Sequence, residues 1–252
     1  MTNLEFSNEF DILYNNIMSN QAPGLDEYEK SVFLTKAQNE IIKNYFNPKG
    51  NKYQEGFDDS PKRQLDFSTL VKTLHQDSSD FEYLNTGGSF HGKARNTKIA
   101  EFPKDAMMVL NEFIDITRDK SLNIRLLVVP ISYEEYNIKN SKPYRFPLKN
   151  QAWRIFAASP ATVVHNDNKA VELIPGPNDE IKGYDIRYVA KPSPIILENL
   201  PEGLSIDGKS EALKCTLDTI LHPEILQRAV ELAKAAYTGD LNSSIELGKR
   251  SE

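Results

Sequence analysis

The stretch Gly87-Gly88-Ser89-Phe90-His91-Gly92-Lys93 spells G-x-x-x-x-G-K, the core of a loop whose backbone amides and lysine can cradle phosphates. Its surroundings argue against that chemistry. Ala94 stands where a Mg²⁺-holding Ser or Thr is needed, and Arg95-Asn96-Thr97-Lys98 does not open an apolar helix. The strongest apolar run, Leu126 to Val129, ends in Pro130 rather than in a metal-holding Asp. A glycine-rich surface loop is the expectation here, with nucleotide binding by Gly87 to Lys93 as the alternative. The histidines His75, His91, His165 and His222 lie far apart, with no H-x-x-x-H or H-E-x-x-H spacing, so no metal site is expected. Cys215 reads as a small buried hydrophobe, G-x-S-x-G is missing, and the pairs Glu134-Glu135 and Asp58-Asp59 read as solvated surface. No catalytic, cofactor-binding or metal-binding residue is therefore assigned.

The elements that would position any site begin with one long helix, Asp26 to Phe46. Asp26 and Glu29 have the spacing of a capping box, and Asn47-Pro48-Lys49-Gly50 stops the helix. Glu29, Lys36, Glu40 and Lys43 fall on one narrow strip, and apolar side chains cover most of the rest. A helix wet on so narrow a strip needs neighbours on more than one side. Either it is a central core helix, or one flank, carrying Tyr28, Phe33, Tyr45 and Phe46, meets another subunit. Phe6, Phe10, Leu13, Ile17 and Met18 make the stripe of a first helix capped near Ser7, which the short Ser19 to Gly24 connection folds back as a hairpin. Ser60-Pro61 reads as a helix start, and Leu65, Leu70, Val71 and Leu74 predict a third helix ending near His75.

Past Asp80 the texture changes: nine of the fourteen prolines lie between Pro130 and Pro201, and short or alternating apolar runs replace helical spacing. Strands are predicted over Ala106 to Ile116, Ile124 to Val129, Trp153 to Phe156, Thr162 to His165, Ala170 to Ile174 and Tyr184 to Tyr188. Asn166-Asp167-Asn168 suits a tight hairpin. Pro223 then starts a last helix whose apolar face, from Ile225 to Tyr237, can dock on the N-terminal hairpin, and Gly239 ends it. The fold class read from this pattern is α+β. Residues 1–78 form a helical unit, 79–218 an inserted antiparallel β sandwich or barrel-like region, and 219–252 a helix returning to the first unit plus a tail. Leu241, Ile245 and Leu247 are too few to fold the tail alone, so it frays or is ordered by a partner, with Lys249 and Arg250 available for charge pairing.

A chain of 252 residues with 39% hydrophobic residues can bury a substantial core, and no apolar run reaches membrane-spanning length. The acidic start MTNLEFSNEF lacks the features of a signal peptide, and a lone cysteine suits a reducing compartment, so a cytoplasmic origin is expected. A net charge of −6 argues against a general nucleic-acid binder but permits a surface past which DNA slides.

Three stretches carry a resemblance: PGLDEYEKSVFLTKAQNEIIKNYF (23–46), QAWRIFA (151–157), and YDIRYVAKPSPIILENL running on to LHPEILQRAVELAKAAY (184–237). Together they resemble virion proteins of crAss-like tailed phages, in particular the ring or head-to-tail connector proteins stacked below the portal. The helix, β-insertion, helix plan is also similar to adaptors of short-tailed phages, which form twelve-fold rings. The resemblance implies a structural, non-enzymatic protein of the virion neck or tail, present in the host cytoplasm during assembly. Its partners would be the portal, neighbouring ring and tail proteins and further copies of itself, twelve in the ring, with genomic DNA only as passing cargo and no membrane. A tail hub, a capsid cement protein and an intracellular binding module remain as alternatives.

Overall fold

The computed structural model describes residues 1–17, 24–46, 61–83, 97–119, 121–140, 147, 149–156, 169–176 and 178–238. In chain order these form helices α1 (Asn3–Ile17), α2 (Glu27–Phe46) and α3 (Pro61–Asp66), then strands β1 (Val71–Asp77), β2 (Glu82–Tyr83), β3 (Lys98–Phe102), β4 (Ala106–Arg118) and β5 (Leu122–Pro130). Helix α4 (Tyr133–Asn140), strands β6 (Gln151–Phe156), β7 (Lys169–Ile174) and β8 (Asp179–Ala190), and helix α5 (His222–Thr238) follow. The architecture is α+β. The chain divides into two compact units, Met1–Leu70 with Pro192–Glu252, and Val71–Lys191.

In the helical unit, α2 starts as its sequence requires. Asp26 Oδ1 accepts from the Glu29 amide at 2.7 Å, and Glu29 Oε2 accepts from the Asp26 amide at 3.1 Å. Helix α1 uses the same device one turn earlier than expected. Thr2 and Glu5 cap each other, the Thr2 amide donating to Glu5 Oε2 at 2.8 Å and the Glu5 amide to Thr2 Oγ1 at 3.3 Å. Ser7, the expected cap, instead lies inside the helix, accepting from Lys30 Nζ at 3.2 Å and donating to Glu27 at 2.8 Å. The buried stripe of α1 is Phe6, Phe10 and Tyr14, while Leu13 is exposed. A spacing of four and four keeps those three in line, and Leu13 falls 100° off it.

The narrow wet strip of α2 holds for Glu29, Lys36 and Lys43, whereas Glu40 turns to Arg228 of α5 at 2.8 Å. What hydrophobic periodicity hides is a buried polar line. Ser31, Thr35 and Gln38, at i, i+4 and i+7, face an extended segment running through Ser193 to Leu197. Thr35 Oγ1 donates to the Ile195 carbonyl at 3.2 Å and accepts from the Ile195 amide at 3.1 Å. Ser31 Oγ accepts from the Leu197 amide at 3.0 Å, and Gln38 Nε2 donates to the Ser193 carbonyl at 2.9 Å. A helix backbone has no groups to offer a passing strand, so its side chains provide the hydrogen bonds that burial demands.

The same contacts move two expected boundaries. Residues 192–218 belong with the helices rather than with the β region, held there by the α2 line, the Ile196–Leu213 bridge and a tight turn at Asp207-Gly208. Both turn residues have positive φ, 52° and 75°, the geometry that Asp-Gly favours in a two-residue hairpin. At the other border the predicted third helix ends early. After α3 and a 3-10 turn (Ser68–Leu70), residues Val71 to Asp77 are strand β1, so the helical unit closes at Leu70 instead of 78. Val71-Lys72-Thr73-Leu74 satisfies a two-residue repeat as well as a helical one, and pairing with Val189 to Gly183 of β8 decides the matter.

The eight described strands form one sheet in the order β1-β8-β4-β5-β6-β7-β3-β2. Its pairings are antiparallel except β5 with β6, which run parallel, a departure from the all-antiparallel expectation. Helix α4, unforeseen in the sequence, makes the crossover between those two strands, as parallel neighbours require. Its start carries a signal, since Ser132 Oγ accepts from the Glu135 amide at 3.1 Å. Ile114, Ile116, Leu126, Val128, Ala152, Val171, Leu173, Tyr184 and Ile186 fill the concave side, while Tyr136 of α4 packs with Trp153, Ile155 and Ile174 on the other.

The curled sheet is nearly closed, and one side chain spans the seam. Gln76 of β1 donates through Nε2 to the Glu101 carbonyl of β3 at 2.6 Å and accepts from the Glu101 amide at 2.9 Å. The carboxamide thus stands in for a strand-to-strand pair. Gln76→Ala removes both of these hydrogen bonds and is expected to cost roughly 2–4 kcal/mol. Faster hydrogen exchange at the Glu101 amide would locate that loss at the seam; exchange unchanged from the parent would show that the seam does not depend on Gln76.

Candidate interaction surface

Sequence-predicted chemistry lands in places that explain it structurally. The Gly87 to Lys93 loop, His91, His165, Asp58-Asp59, Ser60, Thr162 to His165, Asn166 to Asn168, and Met18 with the connection 19–23 lie outside the described residues, as do Gly239 and the tail from Asp240 to Glu252. Cys215 is half-buried, its thiol donating to Gln38 Oε1 at 3.4 Å, and burial pushes its pKa up and away from a reactive thiolate. Glu134 and Glu135 sit in the first turn of α4, where the helix dipole favours them, and Glu135 pairs with Lys139 at 2.5 Å. Among the described residues, no three His, Cys, Asp or Glu side chains converge as metal ligands would.

The two described histidines are engaged. His222 is buried with its ring 5.1 Å from that of Phe6, Nε2 donating to the Leu217 carbonyl at 3.2 Å and Nδ1 accepting from the Met1 amino group at 2.8 Å. Burial pushes its pKa down. His75, on the outer face of the sheet, contacts Asp185 and lies 3.0 Å from Asp77, and these carboxylates hold its pKa up. Arg125 also contacts Asp185 and reaches Asp115 at 2.9 Å, so four strands are tied by one surface charge network.

Buried charge lies inside the sheet, where no sequence signal pointed. Arg154 of β6 lies against both Phe102 and Phe156, 5.2 and 4.6 Å from their ring centres, with Nε 2.9 Å from Glu112 Oε2. The Tyr184 hydroxyl donates to the same carboxylate oxygen at 3.1 Å. Burial pushes Glu112 up against the pull of Arg154, and it pushes Tyr184 up as well. Such a buried pair, packed against aromatic rings, reads as a structural polar core.

Glu172 of β7 differs. Burial raises its pKa from the ordinary 4.5 to about 7, opposed by a hydrogen bond with Thr97. Because the folded chain holds this proton more tightly than the unfolded one, stability falls as pH rises from about 4.5 to 7 and stays reduced above that. Glu172→Gln is expected to raise the melting temperature at pH 8 by an amount equivalent to roughly 1–3 kcal/mol, and to change little at pH 5. A gap that did not widen between those pH values would contradict the assignment.

Of the flank predicted to meet another subunit, Phe46 is buried, its ring 5.4 Å from that of Phe67. Tyr45 packs 5.3 Å from Phe67 and its hydroxyl donates to Glu224 at 3.0 Å. Both are engaged within the helical unit, by an aromatic at position 67 that the periodicity did not single out. Tyr28 and Phe33 are half-buried, and Leu241, Ile245, Leu247, Lys249 and Arg250 lie outside the described residues. Leu4 and Ile12 of α1, Tyr133 and Ile138 of α4, and Leu127 of β5 are exposed apolar side chains that sequence reasoning had not marked. No helix among the described residues is long and apolar enough to cross a membrane.

The chain belongs to the phage tail ring protein 3/4 family, which matches residues 1–244. It is 51% identical over 251 residues to Ring protein 4/5 of Bacteroides phage crAss001, covering 98% of each chain. It is also 32% identical over 247 residues to Ring protein 3 of the same phage, covering 95% of this chain and 99% of that one. The crAss-like ring-protein resemblance is thereby shown, and with it a structural component of the phage particle.

Proposed function

We propose that this chain is a non-enzymatic ring subunit of the head-to-tail connector in a crAss-like phage. Copies form a closed ring of twelve that docks below the portal, extends the DNA channel and seats the next tail component. The chain is made in the host cytoplasm and ends in the neck or tail of the virion. The observation that carries the reading is the near-complete match to two ring proteins of one phage. The higher identity to Ring protein 4/5 favours that place in the particle over that of Ring protein 3.

Chemistry is consistent with this role. A net charge of −6 disfavours tight phosphate binding along a DNA path. Tyr28 and Phe33 on α2, with Leu241, Ile245 and Leu247 in the tail, carry subunit contacts, and Lys249 and Arg250 add orienting charge. The test is co-expression with the portal protein of the same phage, followed by affinity purification through the portal. Co-purification in a fixed ratio, visible as an added ring in negative stain, is the expected result. Portal recovered alone would contradict docking. Nucleotide hydrolysis lost in Lys93→Ala would contradict the non-enzymatic role.

A further inference from the structure

Strand β4 pairs with β8 from Ala106 to Arg118, yet with β5 only from Phe113 to Arg118. Past Leu127, β5 turns aside to pair in parallel with β6. The sheet therefore forks at the Phe113–Leu127 pair, and on the fork side Ala106 to Glu112 meets no strand among the described residues. The open edge runs Ala106-Met107-Met108-Val109-Leu110, all half-buried. Exposed edges are ordinarily blunted by proline, lysine or bulges. Two bulges bend this strand, but no proline or lysine stands between Ala106 and Glu112.

We infer that this edge receives the C-terminal tail of a neighbouring copy as an added strand, an inference that rests on the ring reading above. A ring needs a heterologous contact, whereas β4 pairing with β4 of a second copy would be isologous and would stop at a dimer. The neighbour must offer a different segment. Leu241-Asn242-Ser243-Ser244-Ile245-Glu246-Leu247 has the length of the open edge and contains neither proline nor glycine. Its three apolar residues all fall on odd positions, so an extended conformation places them on one face and Asn242, Ser244 and Glu246 on the other. Backbone pairing supplies the attachment and the odd-numbered side chains supply register.

The test uses the full chain with Cys215→Ser, Leu110→Cys and Ile245→Cys, oxidised under ring-forming conditions with the portal. A ladder of dimer, trimer and larger covalent species on a non-reducing denaturing gel, collapsed by reductant and missing from either single-cysteine chain, is expected. Rings visible by electron microscopy without a ladder, or cross-linking confined to single chains, would overturn the inference and leave the ring reading standing. Failure of the parent chain to form rings with the portal would overturn both. Leu110→Lys gives an independent readout: assembly falls at least tenfold while the circular dichroism spectrum is retained, and undiminished assembly of this variant would also overturn it.

Discussion

Ending the chain at Leu221 abolishes the cooperative melting of the N-terminal helices, because α5 completes their core. Ile225, Leu226, Ala229, Val230 and Ala233 of α5 are all at most 2% exposed. Burying each Ile, Leu or Val is worth about 1.5–3 kcal/mol, so removing three of them approaches the whole stability of an ordinary domain, about 5–15 kcal/mol. Truncation also strips Glu40 of Arg228 and Tyr45 of Glu224. Circular dichroism at 222 nm should show reduced helicity and no cooperative helical transition. Full helicity with a sharp transition would mean that α1 and α2 fold without α5.

Arg154→Ala is the most damaging single substitution expected in the β unit. It leaves the Glu112 carboxylate buried without its counter-charge and removes the guanidinium that packs against Phe102 and Phe156. Breaking a buried ion pair from one side costs about 3–5 kcal/mol. The loss should depend on pH. Glu112 already sits above its usual range through burial, and without Arg154 it rises further, so the folded chain favours the protonated acid. Destabilisation therefore grows as pH climbs above the ordinary carboxylate range, and acid relieves it. A second change, Glu112→Gln, should recover much of the loss, because a neutral amide carries less desolvation cost than an orphaned carboxylate. Chemical denaturation of the two single variants and the double variant at pH 5 and pH 8 would measure this coupling. If the double variant were as unstable as the sum of the singles, the pair would not act as a unit.

Where a residue's role was local, the chain announced it. The Asp26–Glu29 box and the Tyr184-Ile186-Tyr188 alternation are each set by neighbours within a turn or a strand, and each appears as read, while the expected stop at Asn47 to Gly50 lies outside the described residues. Roles set by distant partners were not legible. Ser31, Thr35 and Gln38 look like water-facing positions until residues 193–197 run beside them, and Arg154 looks like a strand's solvent side until Glu112 and two phenylalanines enclose it. Val71 to His75 fitted a helix and a strand equally, and only β8 chose between them. Tyr45 and Phe46 were candidates for an external partner because periodicity reports that a side chain is covered and not by what; here the cover is Phe67. Thr2 with Glu5 and Asp207-Gly208 are local signals too, a capping pair and a turn pair whose spacing is present in the chain.

Assembly itself is the most direct measurement of the account. Native mass spectrometry and negative-stain class averages of the purified chain combined with its portal protein should give closed rings, with twelve copies of this chain per ring. A chain that stayed monomeric beside the portal, or that formed only two-fold dimers, would contradict a ring subunit in the connector.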